Sequence, residues 1–213
     1  MSREATGVLC LTITQGFSRM TWEAVQSAKE LAKHELPGFP IDVIDSGTVC
    51  GAYGLIVLAA ARAAARGQSL PQVVEAAQSV RSRVTLIAAM DTLKYLEKGG
   101  RIGKAASWAG SLLDIKPILE VPPSTGVVEP MQRVRGKARA VTRLLDIMRE
   151  RVGTEKPLHV IVDHGNVPQE AQTLEAHVLS RFKCIVSYIT CFAQVAGVHT
   201  GPGLLGLSFY SEP

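Results

Sequence analysis

Apolar positions along the chain fall into two rhythms, near-continuous short runs and a three-to-four-residue repeat. Val8 to Ile13 is a nearly unbroken apolar run, the pattern of a strand covered on both faces. It ends in the polar loop Thr14 to Ser18, after which Trp22, Val25, Ala28 and Ala32 recur at helical spacing. A second unit repeats this order: Ile41 to Ile44 as strand, Asp45 to Thr48 as turn, then an Ala-rich helix to about Arg66 that Gly67 closes. Two successive strand–loop–helix units predict right-handed crossovers in a parallel sheet. Both hydroxyl-rich loops then fall at the carboxyl edge of the strands, where open α/β sheets bind ligands. A further helix is expected from Ser69 or Leu70 to near Arg83.

From Val84 the order of elements changes. A strand Val84 to Ala88 precedes Asp91, the expected N-cap of a short helix carrying Leu93, Tyr95 and Leu96, which Gly99 and Gly100 stop. A small-residue helix is expected around Ala105 to Leu113. Strands Lys116 to Val121 and Val127 to Val134 flank a Pro-Pro-Ser-Thr-Gly turn, which predicts antiparallel pairing. Val141, Leu144, Leu145, Met148 and Val152 mark an amphipathic helix. Strand Leu158 to Val162, helix Pro168 to Arg181, strand Cys184 to Thr190 and strand Leu204 to Tyr210 follow. The chain reads as α/β in two parts, a parallel-sheet part over 1–83 and a mixed-sheet part over 84–213.

Composition narrows the classes of ligand. With 213 residues, 46% hydrophobic and 20% charged, the chain builds a large core without a disulfide or metal staple, and disorder is excluded. Aromatic residues make up 5%, so the interior is aliphatic and lacks the stacking platforms of single-strand nucleic-acid binders. The net charge of +4 is modest, and its interleaved signs give no argument for nucleic acid. The longest mostly apolar run, Gly51 to Ala65, contains Arg62 and falls short of the roughly 20 residues that span a bilayer. The opening Met-Ser-Arg-Glu-Ala lacks the features of a signal peptide, and a soluble cytoplasmic protein is expected. Cys10, Cys50, Cys184 and Cys191 show neither metal-ligand nor disulfide spacing; they read as small packed hydrophobes.

Three polar clusters are each attached to glycine: Thr14 to Ser18, Lys98 to Ile102, and His199 to Gly203. Arginine offers a two-pronged donor matched to carboxylate or phosphate, histidine a switchable donor, and hydroxyls at a helix start add donors beside its positive end. Together they would make an anion pocket. Singly, Ser18 or Thr21 reads equally as a helix cap, Arg101 as a surface arginine and His199 as a turn former. A phosphate loop at Gly103-Lys104 would need glycine at 98 and a hydroxyl residue at 105, where Lys98 and Ala105 stand. Neither a GxSxG elbow nor an HExxH pair occurs. An acyl hydrolase or transferase pairing Ser18 with His199, oriented by Asp163 or Asp45, is the alternative from the enzyme class.

Read together, these strings resemble the DegV family of bacterial fatty-acid-binding proteins. The resemblance rests on Ile44-Asp-Ser46 before the Ala-rich helix, the segment Asp91 to Ile102, Ile115 to Ile118, Gly126 followed by a basic stretch, and His199-Thr-Gly-Pro-Gly203. It runs from about Gly7 to Tyr210. It implies a two-domain α/β fold of DegV type, with one long-chain fatty acid between the domains and its tail in an apolar tunnel. It also implies a carrier that does no bond chemistry, needs no metal or other cofactor, and presents the acid to a separate dihydroxyacetone-kinase-like fatty acid kinase. The implied lipid-binding residues are Thr14, Ser18, Arg101, His199, Thr200 and Gly201, and the implied kinase-docking residues are Arg133 and Arg135. Burying about 15 methylenes at roughly 0.8 kcal/mol each gives a gross term near 12 kcal/mol, which aliphatic walls can supply. The loop Thr14 to Met20 departs from the family's Ser-Ser-x-Leu-Ser-Gly-Thr pattern. Relatives also begin with a further segment, so the parallel part is expected to lack its first strand, and a non-binding homo-oligomeric relative stands as a third reading.

Overall fold

A computed structural model describes residues 5–110, 114–192 and 194–212. Strand β1 (Val8–Thr12) pairs in parallel with β2 (Ile41–Asp45), Val8 facing Ile41 and Thr12 facing Asp45. Between them runs α1 (Arg19–Glu35), in which no residue is buried. Helix α2 (Cys50–Ala65) buries Ala52, Leu55, Ile56, Ala60 and Ala63. Helix α3 (Leu70–Arg81) starts on a capping box in which Ser69 and Gln72 satisfy each other's backbone, with Pro71 in the first turn.

The other strands form one six-stranded sheet in the order β5-β4-β3-β8-β6-β7. They are β3 (Thr85–Ala89), β4 (Ile115–Glu120), β5 (Glu129–Arg135), β6 (Leu158–His164), β7 (Cys184–Cys191) and β8 (Leu205–Ser211). Strands β6 and β7 are parallel and the remaining neighbours antiparallel, so the sheet is mixed, as the tight turn before Gly126 predicts. Every residue of β6 is buried, because both faces are covered. Leu158, Val160 and Val162 pack with Leu144 and Met148 of α5 (Lys137–Val152) and Leu174 of α6 (Pro168–Leu179). Ile161 faces the other way and joins Leu55 and Ile56 of α2. The alternation of a strand therefore puts Asp163, two residues on, on the α2 side. Strands β1 and β2 form a sheet of their own, while α2, which follows β2 in the chain, packs against β6 and β8 of the larger sheet.

Three local expectations change. Asp91 is not the cap of the short helix α4 (Lys94–Lys98), whose N-cap is Leu93. Its carboxylate instead pairs with Lys116 at 2.8 Å and lies against Gly203, where a Cβ would collide with it. The helix expected around Ala105 to Leu113 is a short 3-10 turn, Gly103–Trp108, and residues 111–113 lie outside the described residues. A short helix α7 (Gln194–Thr200) leads into the His-Thr-Gly-Pro-Gly string and includes its first two residues, where the sequence suggests only a turn.

Candidate functional site

A cavity of about 580 Å³ opens where the 14–18 loop, the start of α2, the α2-facing side of the sheet and α7 meet. Its walls are largely aliphatic: Val49, Leu86, Ala88, Met90, Leu96 and Ile161 among them. Its polar lining includes Ser18, Thr21, Arg101, His199 and Thr200, and also Glu120, whose carboxylate is paired with Arg151 at 2.6 Å. Three strings far apart in sequence therefore meet at one hollow.

Each is placed by its own local chemistry. The loop after β1 is held by Thr14, which is buried; its hydroxyl donates to the Gly126 carbonyl at 3.1 Å and accepts from the Gly16 N–H. That fixes the loop to the β4–β5 turn and brings Phe17 and Ser18 to the cavity. Ser18 is the N-cap residue of α1 but makes no side-chain cap bond; its Oγ lies 2.6 Å from Thr21 Oγ1. Arg101 donates from Nε to the Phe17 carbonyl at 3.2 Å and from Nη1 to the Gly99 carbonyl at 2.7 Å. A guanidinium has five N–H donors, so this tie between the loop and the α4 segment leaves donors for an anion.

His199 sits at the end of α7 with its Nδ1 buried and without a hydrogen-bond partner among the described residues. The ring lies so close to Gly99 that a Cβ there would run into Nδ1, a close-approach requirement, whereas Gly100 serves the positive φ of +67 at which the chain turns. Gly201, at φ +72, turns the chain against the Tyr95 ring. Of the residues singled out in the sequence, Ser18, Arg101, His199 and Thr200 line the cavity, whereas Thr14 and Gly201 stand behind its wall. Arg133 and Arg135 are not part of its lining; they stand on the edge strand β5, both exposed. Arg133 stacks over Trp108 at 4.6 Å and Arg135 reaches Asp114 at 3.3 Å.

A buried carboxylate joins the wall where sequence reasoning placed none as a structural feature. Asp163 is fully buried and lines the same cavity. It accepts from the Gly51 N–H at 3.1 Å, from Thr190 at 2.8 Å and from Ser208 at 2.7 Å. Burial outweighs those three bonds and pushes its pKa up to about 6. The signal was a lone acid in the run Leu158 to His164, otherwise apolar apart from its end histidines.

The Ser18–His199 relay is not assembled. Ser18 pairs with Thr21, the carboxylate of Asp163 is turned to Gly51, Thr190 and Ser208, and that of Asp45 accepts from Gln15 and Gly47. Gly201, Gly203 and Gly206 spell the GxGxxG spacing, but they lead from α7 into β8, not from a strand into a helix, so the dinucleotide geometry is missing. Among the described residues no group of His, Cys, Asp and Glu could hold a metal ion. No described helix is long and apolar enough to cross a membrane.

Comparison with known proteins gives a consistent picture. A family model described as an uncharacterised protein family, DegV, matches residues 1–212. A DegV domain-containing protein of Streptomyces coelicolor is 33% identical over 204 residues, which cover 95% of this chain and 69% of that protein. The crystal structure of a DegV family protein from Thermus thermophilus, reported for its fatty acid binding, is 32% identical with a TM-score of 0.86, covering 99% of this chain and 73% of that one. A DegV family protein from Eubacterium eligens loaded with heptadecanoic acid shares the fold, with a TM-score of 0.87 at 18% identity over 98% of this chain and 74% of that one.

Proposed function

This chain belongs to the DegV family, and from that premise we propose that it binds a long-chain fatty acid in the cavity between α2, the six-stranded sheet and α7. The carboxylate is held by Arg101, His199 and the Ser18 hydroxyl, Thr200 contributes to the wall while its hydroxyl donates to the Ala196 carbonyl at 3.0 Å, and Thr14 and Gly201 fix the loops. The tail lies along Leu86, Ala88, Met90 and Ile161. One observation carries the reading: a cavity with largely aliphatic walls whose charged donors are confined to the meeting point of the three glycine-bearing strings. An apolar tail gains free energy along such walls, and a carboxylate needs a charge-assisted donor to leave water. The fatty acid binding of the Thermus relative, at 32% identity, supports the same ligand class.

The chain acts in this reading as a carrier without bond chemistry of its own, dividing between a parallel-sheet part over 1–83 and a mixed-sheet part over 84–213. It presents the acid to a separate fatty acid kinase, which docks through Arg133 and Arg135. These two alternate on β5 and share one exposed face. Charge reversal at Arg135 is expected to slow kinase-dependent acyl phosphate formation while lipid binding stays unchanged; an unchanged rate would remove this part of the proposal.

Ligand binding is tested on the purified chain. Organic extraction of denatured protein followed by mass spectrometry is expected to release a long-chain fatty acid, and delipidated protein is expected to take up palmitate or oleate. Absence of a co-purified lipid together with absence of uptake of either acid would refute the reading.

A further inference from the structure

Helix α2 is 16 residues long and begins at the cavity wall. The start of a helix presents free N–H groups and a partial positive charge, the elements of an anion site. Here the protein's own carboxylate occupies it. Asp163 on β6 receives the Gly51 N–H of α2, the Thr190 hydroxyl of β7 and the Ser208 hydroxyl of β8. A Cβ on Gly51 would stand 2.6 Å from Asp163 Oδ2 and 2.8 Å from Ser208 Oγ, so the backbone approaches the carboxylate as only glycine permits. No Lys or Arg is paired with Asp163 among the described residues. Its charge is met by dipoles alone.

Cys50, Gly51, Ile161 and Thr190, which surround this carboxylate, line the cavity with it. Ligand methylenes can pass such a wall without electrostatic cost, whereas a second carboxylate would lie beside an uncompensated negative charge in a medium of low polarity. We infer that Asp163 is a specificity-determining residue, filling the α2 anion site from within so that a ligand is accepted with one carboxylate, at the Arg101–His199 end, and a second anionic group is refused. The inference rests on the fatty-acid reading above and sharpens its ligand class to monocarboxylic acids.

The groups facing Asp163 define what its protonation would do. From α2 comes the Cys50 thiol, whose own ionisation is suppressed by burial and by the Asp163 charge. Strands β7 and β8 contribute the Thr190 and Ser208 hydroxyls. The next residue on β6, His164, turns its Nδ1 to the Val167 N–H. No cation takes over the charge, so protonation removes it.

The test compares displacement of bound palmitate by monocarboxylic acids and by α,ω-dicarboxylic acids of matched length, over a series of lengths. The wild type at neutral pH is expected to prefer the monoacid by about tenfold or more. Asp163→Asn, which keeps the shape and removes the charge, is expected to narrow that ratio several-fold. Asp163→Ser, which also vacates the place and leaves three donors facing the cavity, should narrow it further. Acidifying the wild type below pH about 6 is expected to act as Asp163→Asn does, without any substitution. A ratio that stays constant across Asp163→Asn and across the wild-type pH series overturns the inference while leaving fatty-acid binding intact. Failure of the wild type to bind palmitate overturns both readings.

Discussion

Two polar clusters face one cavity and differ in what their hydrogen bonds leave over. At Asp163 each bond is internal: one carboxylate, three donors from α2, β7 and β8, and complete burial. At Arg101 and His199 the protein spends two guanidinium donors on the Phe17 and Gly99 carbonyls and leaves the other donors of that guanidinium and the imidazole beside the hollow. The first cluster sits on the most deeply buried strand of the sheet, the second on loops and on α7. A saturated cluster on a covered strand shapes the wall. An unsaturated one on glycine-rich segments has donors free for a ligand.

The largest expected effect probes the saturated cluster. The pKa of Asp163 is raised from an ordinary 3.8 to about 6, so the folded protein binds this proton more tightly than the unfolded chain. Its contribution to stability is present in full below about pH 4 and is lost as pH rises through about 6, amounting to roughly 3 kcal/mol. In Asp163→Asn that dependence should vanish. Denaturant unfolding of both proteins between these pH values measures it, and parallel curves for the two would show that the carboxylate carries no such cost.

The next effect is on affinity at the unsaturated cluster. Arg101→Ala removes a charge-assisted partner worth about 1.5–3 kcal/mol, a roughly 10- to 100-fold loss of palmitate affinity. Its melting temperature should move little, because the side chain is exposed. Calorimetric titration distinguishes this from a structural role, in which stability would fall and affinity would follow. Substituting His199 by Ala is expected to cost about 1 kcal/mol, near fivefold in affinity. Gly99→Ala should produce a similar loss by displacing the ring, since its new Cβ meets Nδ1; retained affinity in that variant would mean that His199 is not positioned by this contact.

Much of the architecture was legible because burial writes itself into periodicity. The runs at Val8, Ile41 and Leu158 are strands and the repeat Val141, Leu144, Leu145 and Met148 a helix, but β1 is not covered on both faces as expected: Val8 is exposed and only Thr12 of the strand is buried. The Gly-Gly-Arg and His-Thr-Gly-Pro-Gly strings are visible as candidate sites only when read together, because each alone fits a helix stop or a turn equally well. Less legible were contacts set by tertiary packing. Thr14 looked like a ligand group and serves as a strut to Gly126, a partner 112 residues away. Asp91 looked like a cap and instead pairs with Lys116 of β4. From the sequence Asp163 reads only as an orienting acid for His199, because nothing local reveals that Gly51, Thr190 and Ser208 converge on it. Helix α7 is short and small-residue rich, and its apolar Val195 and Val198 are exposed, so no buried face marked it.

In the proposed complex the ligand's charged end lies at Arg101 and His199 and its tail runs past Asp163. A crystal structure of the chain saturated with palmitate shows this arrangement or its absence. One fatty acid is expected in the cavity, its carboxylate within hydrogen-bond distance of Arg101 or His199 and its methylenes against Ile161 and Ala88. A carboxylate seated at Gly51 beside Asp163, or a cavity without lipid at saturating palmitate, would contradict it.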